Sequence, residues 1–300
     1  MPVDLRYHIT SLIAVFSALL IGVLIGIALV GDPELERRVQ FADNALRERQ
    51  DQIEQLDATR KTYENFSKEA GWLLTANVLA GKRVAVIYAY PRRGEAFAAQ
   101  LPRVLEHAGA TVTSTTTVLP AFRKLERSNA VKVFQLFQWP VPIEGDLRGV
   151  LAAKLAVNVA EGKQELPAAL KDAPFKLIAV DGDYTQPADC EILVVGLNEG
   201  ADPASVAEVE ARMIHGLQEA GHRVVACEGG PTPISTIEQC QTQLIPTVRA
   251  ADTPYGQLAL VLAIDRANGF FGPEESALWP RLEDYLVASP RPAPAPAPAH

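Results

Sequence analysis

The sequence predicts an α/β protein with an N-terminal transmembrane helix, a coiled-coil stalk and a doubly wound, mostly parallel sheet domain. Three observations predict this class: an uncharged apolar run at 9–31, heptads at 33–66, and apolar strands that alternate with helices from residue 81. We expect four segments. They are a short tail and transmembrane helix (1–31), a stalk (32–70), an α/β domain (71–288) and a disordered Ala-Pro tail (289–300).

Residues 9–31 carry no charged side chain. A helix of roughly 20 apolar residues crosses the bilayer core, which is about 30 Å thick. A cleaved signal peptide is one alternative, but the run is longer than a signal core and no Ala-x-Ala site follows it. A buried helix of a soluble core is the other alternative, although such helices usually keep a polar face. We therefore expect an uncleaved single-pass anchor that contacts lipid in the cell inner (plasma) membrane.

One face of the predicted anchor carries a small residue at every fourth position. These residues are Ala14, Ala18, Gly22 and Gly26. Small side chains allow two helix backbones to approach closely in lipid, so this face predicts helix pairing. The alternative is that glycine and alanine are simply common in membrane spans.

The orientation of the anchor is weakly specified. The N-terminal tail has one arginine, and the basic residues after the span are diluted by acidic ones. Counting Lys and Arg alone places the large domain in the cytoplasm, but long domains translocate largely regardless of charge. We expect the α/β domain to be extracytoplasmic.

The stalk shows about four heptads, interrupted by Arg49 and Arg60. Its predicted core positions are Leu35, Val39, Ala42, Leu46, Ile53, Leu56 and Tyr63. This pattern favours a parallel coiled coil and, with the small-residue face, a homodimer. A single amphipathic helix packed on its own domain is the alternative.

From residue 81 onward, short apolar strands alternate with helices, which is typical of a mostly parallel, Rossmann-like sheet covered on both faces. The predicted strands lie at 83–90, 110–119, 176–181, 191–196, 222–227 and 243–248. The predicted helices lie at 95–107, 146–161, 203–220 and 254–266. Pro102 is expected to bend or restart the first of these helices.

Composition excludes several functions. The net charge of −8 argues against nucleic acid and against attachment to an anionic lipid surface by charge. The three cysteines, Cys190, Cys227 and Cys240, match no metal or disulfide spacing. Dinucleotide, Walker A, nucleophile-elbow and zinc-protease motifs are missing. Gly229-Gly230 forms either a tight loop near a ligand or an ordinary turn. We expect no enzyme activity, no catalytic residues and no cofactor.

Two weak clusters leave alternatives open. Asp181, Asp183, Asp189 and Glu191 either form a site for a hard cation such as Mg²⁺ or are solvated loop acids. Arg92 and Arg93, beside Glu95, either bind an anion or form a solvated turn. No Met-rich or Cys/His-rich tract for copper exists, and His222 and Cys227 fall on opposite sides of one predicted strand. We therefore assign no metal ligands.

Both ends of the chain resemble the MctB family of mycobacterial copper transport proteins, which includes SteB-like envelope proteins. At the N-terminus the matching positions are Ser11, Leu12, Ala14, Val15, Phe16, Ala18, Leu19, Ile21, Gly22, Val23 and Gly26. Near the C-terminus they are Asp252, Gly256, Val261, Leu262, Ala263, Ile264, Gly269, Phe271 and Gly272.

The resemblance implies a role in copper homeostasis at the cell envelope, so copper is implied by family alone. It also implies an alternative, in which a dimeric scaffold docks a SteA-like membrane partner and regulates cell-wall hydrolysis at cell separation. No metal-ligand motif transfers to this chain. One uncharged helix per subunit cannot line an ion path unless several subunits assemble.

Overall fold

The computed structural model describes residues 5–30, 33–90, 96–143, 145–172, 174–197, 202–230 and 232–272. The chain divides into two compact units, residues 1–64 and 65–300. The helices are α1 (Leu5–Val30), α2 (Pro33–Thr75), α3 (Ala96–His107), α4 (Pro120–Arg123), α5 (Arg127–Leu136), α6 (Leu147–Ala160), α7 (Glu165–Lys171), α8 (Pro203–Glu219), α9 (Ile237–Gln241) and α10 (Pro254–Asp265). The strands are β1 (Arg83–Tyr88), β2 (Thr111–Val118), β3 (Ile178–Gly182), β4 (Cys190–Val194), β5 (Val224–Cys227), β6 (Thr247–Val248) and β7 (Phe270–Phe271).

The first unit contains α1 and most of α2. Within the described residues, His8–Ile27 of α1 is the one stretch long and apolar enough to cross a membrane, and none of it is buried. Its mean hydropathy is 2.5. The predicted N-terminal apolar helix is therefore confirmed. A 43-residue helix such as α2 is about 65 Å long.

The second unit is built on one seven-stranded sheet with the order β3-β2-β1-β4-β5-β6-β7. All neighbouring strands are parallel except β2 and β3. The predicted mixed α/β architecture with a mostly parallel sheet is confirmed.

Helices cover both faces of this sheet. Side chains alternate between the two faces along each strand, so each strand contributes to two separate cores. On one face, Ala85 and Ile87 of β1 belong to a core that includes side chains of α6 and α8. On the other face, Val84 and Val86 belong to a core that includes side chains of α3 and α10. The short apolar strands without polar alternation fit this double coverage.

Helix α3 runs without a break from Ala96 to His107, so the predicted restart at Pro102 is wrong, whereas the predicted bend stays a prediction. Proline lacks the N–H that would bond the carbonyl four residues earlier. That carbonyl belongs to Ala98, and the Tyr88 hydroxyl donates to it at 3.4 Å. A tyrosine from β1 therefore supplies the donor that Pro102 lacks.

The end of α2, from residue 65 onward, belongs to the second unit, and Trp72 packs there against α3. The indole ring stacks on the His107 imidazole, with ring centroids 3.4 Å apart. The Nε2 atom of His107 also lies 2.6 Å from the carbonyl oxygen of Trp72. These contacts fix the last turn of α2 against the end of α3.

Three strands differ from the predictions. β3 was expected to be buried, but it is the antiparallel edge strand, with Ala179 and Asp181 exposed. β6 covers only Thr247–Val248, because Leu244 adopts a positive φ of 58° and is 86% exposed. β7 was not predicted.

Candidate functional site

Strands β1, β4, β5 and β6 are parallel, so their carboxyl ends meet at one edge of the sheet. The strand order reverses between β1 and β4. Ligands of open α/β sheets bind outside the carboxyl ends of the strands at such a reversal. The loops at this edge are therefore the candidate site. Arg92, Arg93 and Glu95, the predicted anion group, lie outside the described residues.

Glu228 follows β5 at this edge and is 5% exposed. The Ser235 hydroxyl donates to both carboxylate oxygens, at 2.9 and 2.7 Å. The Arg249 Nε atom lies 3.5 Å from Glu228 Oε1, and Arg249 also donates to Glu238 at 3.1 Å. A buried carboxylate needs such partners, because its desolvation is costly when it is unpaired. Glu228 therefore holds two loops together.

The C-terminal family motif lies in the neighbouring loop and has a structural role. The carboxylate of Asp252 accepts a hydrogen bond from the Gly230 N–H at 2.7 Å, which joins the loops after β5 and β6. A Cβ atom on Gly256 would lie 2.1 Å from the Ala250 carbonyl oxygen, so only glycine fits there. The Gly256 N–H donates to Thr253, which caps α10. The motif therefore shapes this edge of the sheet.

Arg123 places a positive charge beside the end of β1. Its guanidinium carbon lies 4.6 Å from the centroid of the Tyr90 ring. Burial lowers the pKa of Arg123 from its ordinary value, while Tyr90 and Glu210 oppose that shift. Arginine nevertheless stays charged in proteins, so this corner of the edge is cationic.

The four acidic residues that the sequence placed in one cluster have separate partners. Asp183 accepts hydrogen bonds from the N–H and hydroxyl of Thr185, which lower its pKa. Asp189 accepts from the Arg83 N–H at 2.8 Å. Among the described residues, no three His, Cys, Asp or Glu side chains are grouped to hold a metal ion. The arrangement does not favour the Mg²⁺ alternative.

Glu191 is not a loop residue, because it lies within β4 and is fully buried. Neither carboxylate oxygen has a hydrogen-bond partner among the residues that the structure describes, and Oε1 lies 3.9 Å from Nδ1 of His222. Burial, with a smaller contribution from Asp189, raises the pKa of Glu191 to about 8. Sequence reasoning missed this group, since glutamate is rarely buried without a partner.

The three cysteines are buried. Cys190 and Cys227 belong to the core on one face of the sheet, and Cys240 belongs to the core on the other. Burial raises the thiol pKa of Cys190 and of Cys240. Because the thiolate is the form that binds metal, these positions are poorly suited to copper.

The residues of the predicted pairing surfaces lie on α1 and α2. Ala14, Ala18, Gly22 and Gly26 of α1 are exposed in the single chain. So are the predicted heptad positions for which side chains are described: Val39, Ala42, Leu46, Ile53, Leu56 and Tyr63. Leu35 lies on α2, but its side chain is outside the described set. The coiled coil and the pairing of α1 stay predictions.

The structure thus defines a class: an α/β protein with one N-terminal helix that is long and apolar enough to cross a membrane. Within this class, the chain belongs to the MctB family, described as "Copper transport outer membrane protein, MctB", which matches residues 3–279. Relatives named copper transporter MctB, from Mycobacterium bovis and Mycobacterium tuberculosis, are 24% identical over 298 residues. The match covers 89% of this chain and 94% of each relative. The resemblance inferred from the two ends of the sequence is confirmed.

Proposed function

We propose that this chain is a single-pass, membrane-anchored envelope protein with a role in copper homeostasis and copper transport. The observation that carries the proposal is the family match over residues 3–279, with relatives named copper transporters. The apolar helix α1 supports anchoring in a membrane. We propose the cell inner (plasma) membrane, with the α/β domain on the extracytoplasmic side, because long domains translocate largely regardless of charge.

The copper role, in this proposal, belongs to an assembly. A single uncharged span has no polar path for an ion, and ionisable residues normally mark such paths. The buried thiols of Cys190, Cys227 and Cys240 are also poor ligands. We infer that copper is handled by several subunits together or by a partner that this protein binds.

A homodimer is the simplest such assembly. Val39, Ile53 and Leu56 on α2 are 59–69% exposed in the single chain. Burying one aliphatic side chain of this size stabilises a contact by about 1.5–3 kcal/mol. A parallel pair of α2 helices would remove several of these side chains from water, and α1 offers a small-residue face in the same chain.

We propose a non-enzymatic role for the sheet domain. Glu228, Ser235 and Arg249 are engaged with one another at the carboxyl edge, where catalytic groups of such folds lie. The alternative role, docking of a SteA-like partner to control cell-wall hydrolysis, stays a prediction, and the relatives' names speak only of copper transport.

Deletion of the gene in the source organism tests the copper role. We expect the deletion cells to accumulate more copper than wild-type cells in copper-supplemented medium, and to grow more poorly there. Expression of the full chain should restore both properties, whereas a chain that lacks residues 1–31 should not. Unchanged copper content, with normal growth in copper, would contradict the proposal.

A further inference from the structure

An exposed apolar segment follows α5. Within residues 136–143, which we call the 136–143 loop, Leu136 is 60% exposed, Val141 36% and Ile143 93%. Exposed apolar side chains that lie close together along the chain are candidates for a binding surface.

Trp139 lies at the centre of this loop and is packed against the core of the second unit. Its ring stacks on Phe137, with centroids 4.8 Å apart and planes at 21°. Phe134 contacts it edge-on at 5.7 Å, and Lys154 Nζ lies 4.3 Å from the Trp139 ring centroid. The result is an aromatic cluster, half-buried at the surface of the second unit. Side chains that are already packed lose less conformational entropy when they bind a ligand.

A groove of about 780 Å³ adjoins the aromatic cluster and is lined by residues of α6 and α8. Apolar lining comes from Phe137, Trp139 and Val150. Three carboxylates, those of Glu161, Glu165 and Glu219, also line it. Lys154 and Lys163 line the groove too, and Lys163 Nζ lies 2.7 Å from Glu161 Oε2, so these two charges are paired. The groove therefore combines aromatic surface with the carboxylates of Glu165 and Glu219.

One segment of this chain has complementary chemistry. Residues 289–300 read SPRPAPAPAPAH and include one cation, Arg291. Proline-rich segments favour the polyproline II helix and bind grooves lined by aromatic side chains, at a low entropy cost. The 16 residues 273–288 between this segment and the end of β7 can span up to about 55 Å when extended, which is ample to reach across one domain.

We propose that residues 289–300 bind this groove as a polyproline II segment. Prolines lie against Phe137 and against the edge of the Trp139 ring, because Phe137 and Lys154 already lie over that ring. Arg291 lies beside Glu165 and Glu219, because Glu161 is already paired with Lys163. The proposal is independent of the copper role, because it concerns a contact of the chain with its own tail. It assigns a binding function to the Ala-Pro tail, which the sequence alone predicts to be disordered.

Titration of a labelled peptide with the sequence of residues 289–300 into full-length protein in detergent micelles tests the proposal. The matched protein ends at Ala288. We expect the truncated protein to bind the peptide with a Kd tighter than about 1 mM. The full chain should bind at least about tenfold more weakly, because its own tail competes at high effective concentration. A peptide with alanine in place of every proline keeps the charge and should not bind.

Two variants of the truncated protein locate the site. The double variant Glu165→Lys with Glu219→Lys should weaken binding about fivefold at low salt and less at high salt, since the contacts are exposed. Glu208→Lys, on α8 but not among the groove residues, is the control and should have little effect. Trp139→Ala should abolish binding; circular dichroism checks that this variant is folded.

Three results would overturn the proposal. One is failure of the truncated protein to bind the peptide. Another is equal binding by the full-length and truncated proteins, which would mean that the tail does not occupy the groove. The third is binding that is unchanged in the Glu165→Lys, Glu219→Lys double variant and in folded Trp139→Ala, which would place the peptide elsewhere.

Discussion

Glu191 makes the stability of the sheet domain depend on pH, and its replacement by glutamine should remove that dependence. Burial raises the pKa of this carboxyl group from 4.5 to about 8, so the folded chain binds the proton more tightly than the unfolded chain. Each tenfold change in proton affinity corresponds to about 1.4 kcal/mol. The difference between 4.5 and about 8 therefore amounts to about 5 kcal/mol.

The sign follows from the raised pKa. Below about pH 4.5, Glu191 is protonated in both states and contributes no pH dependence. As the pH rises toward about 8, the unfolded chain ionises first, so the free energy of unfolding falls. Above about pH 8 the carboxylate is ionised in both states and its contribution stays constant.

Urea unfolding of the full chain in micelles, followed by tryptophan fluorescence at a series of pH values, measures this effect. Glu191→Gln should be more stable than wild type above about pH 8, and its stability should lack the fall between about pH 5 and 8. A glutamine amide at position 191 also lacks hydrogen-bond partners, which lowers stability by an amount that does not vary with pH. The readout is therefore the change of the free energy of unfolding with pH, and not its absolute value. Glu208→Gln, at an exposed position on α8, is the control and should follow wild type. Equal pH dependence in Glu191→Gln and wild type would refute the reasoning.

Three further predictions follow from other parts of the chain. Gly256→Ala should lower the free energy of unfolding by about 1–3 kcal/mol in urea titration, because its Cβ would lie 2.1 Å from the Ala250 carbonyl oxygen; unchanged stability would contradict this contact. Gly22→Leu combined with Gly26→Leu should shift the protein from dimer to monomer in light scattering of micelles, while Val23→Leu should not, and a wild-type monomer would remove the dimer proposal. Replacement of Cys190, Cys227 and Cys240 by alanine should leave the copper tolerance of complemented cells intact, since the thiols are buried. Copper sensitivity of cells that carry this triple variant would contradict that inference.

Much of the fold could be predicted from local sequence. Asp202 before Pro203 predicted the start of α8, and the Asp202 side chain accepts from the Ser205 N–H at 3.1 Å. The apolar character of residues 83–88 likewise predicted β1. These signals are local, because a cap or a buried strand is encoded by a few neighbouring residues.

Features that depend on distant residues could not be predicted. The direction of β3 is decided by how β2 and β3 pair after four intervening helices, and residues 176–181 carry no signal for it. β7 is two residues long, too short for a pattern, although Phe271 pairs with Val248. Continuity of α3 through Pro102 depends on a hydroxyl from β1.

The candidate site was predicted least well. The sequence placed Glu191 with exposed loop acids, whereas the structure buries it within β4 near His222. The structural roles of Asp252 and Gly256 depend on their contacts with the Gly230 N–H and the Ala250 carbonyl group, which the sequence does not show. Spacing along the chain carries no information on such approaches between loops.

Labelling of intact cells tests the central claim, that α1 anchors the chain with its α/β domain outside the cytoplasm. The native cysteines are buried, so a cysteine introduced as Glu208→Cys on exposed α8 is the main target for a membrane-impermeant maleimide. We predict equal labelling of membrane-bound protein in intact and lysed cells. Labelling only after lysis, or recovery of the full chain in the soluble fraction, would contradict the claim.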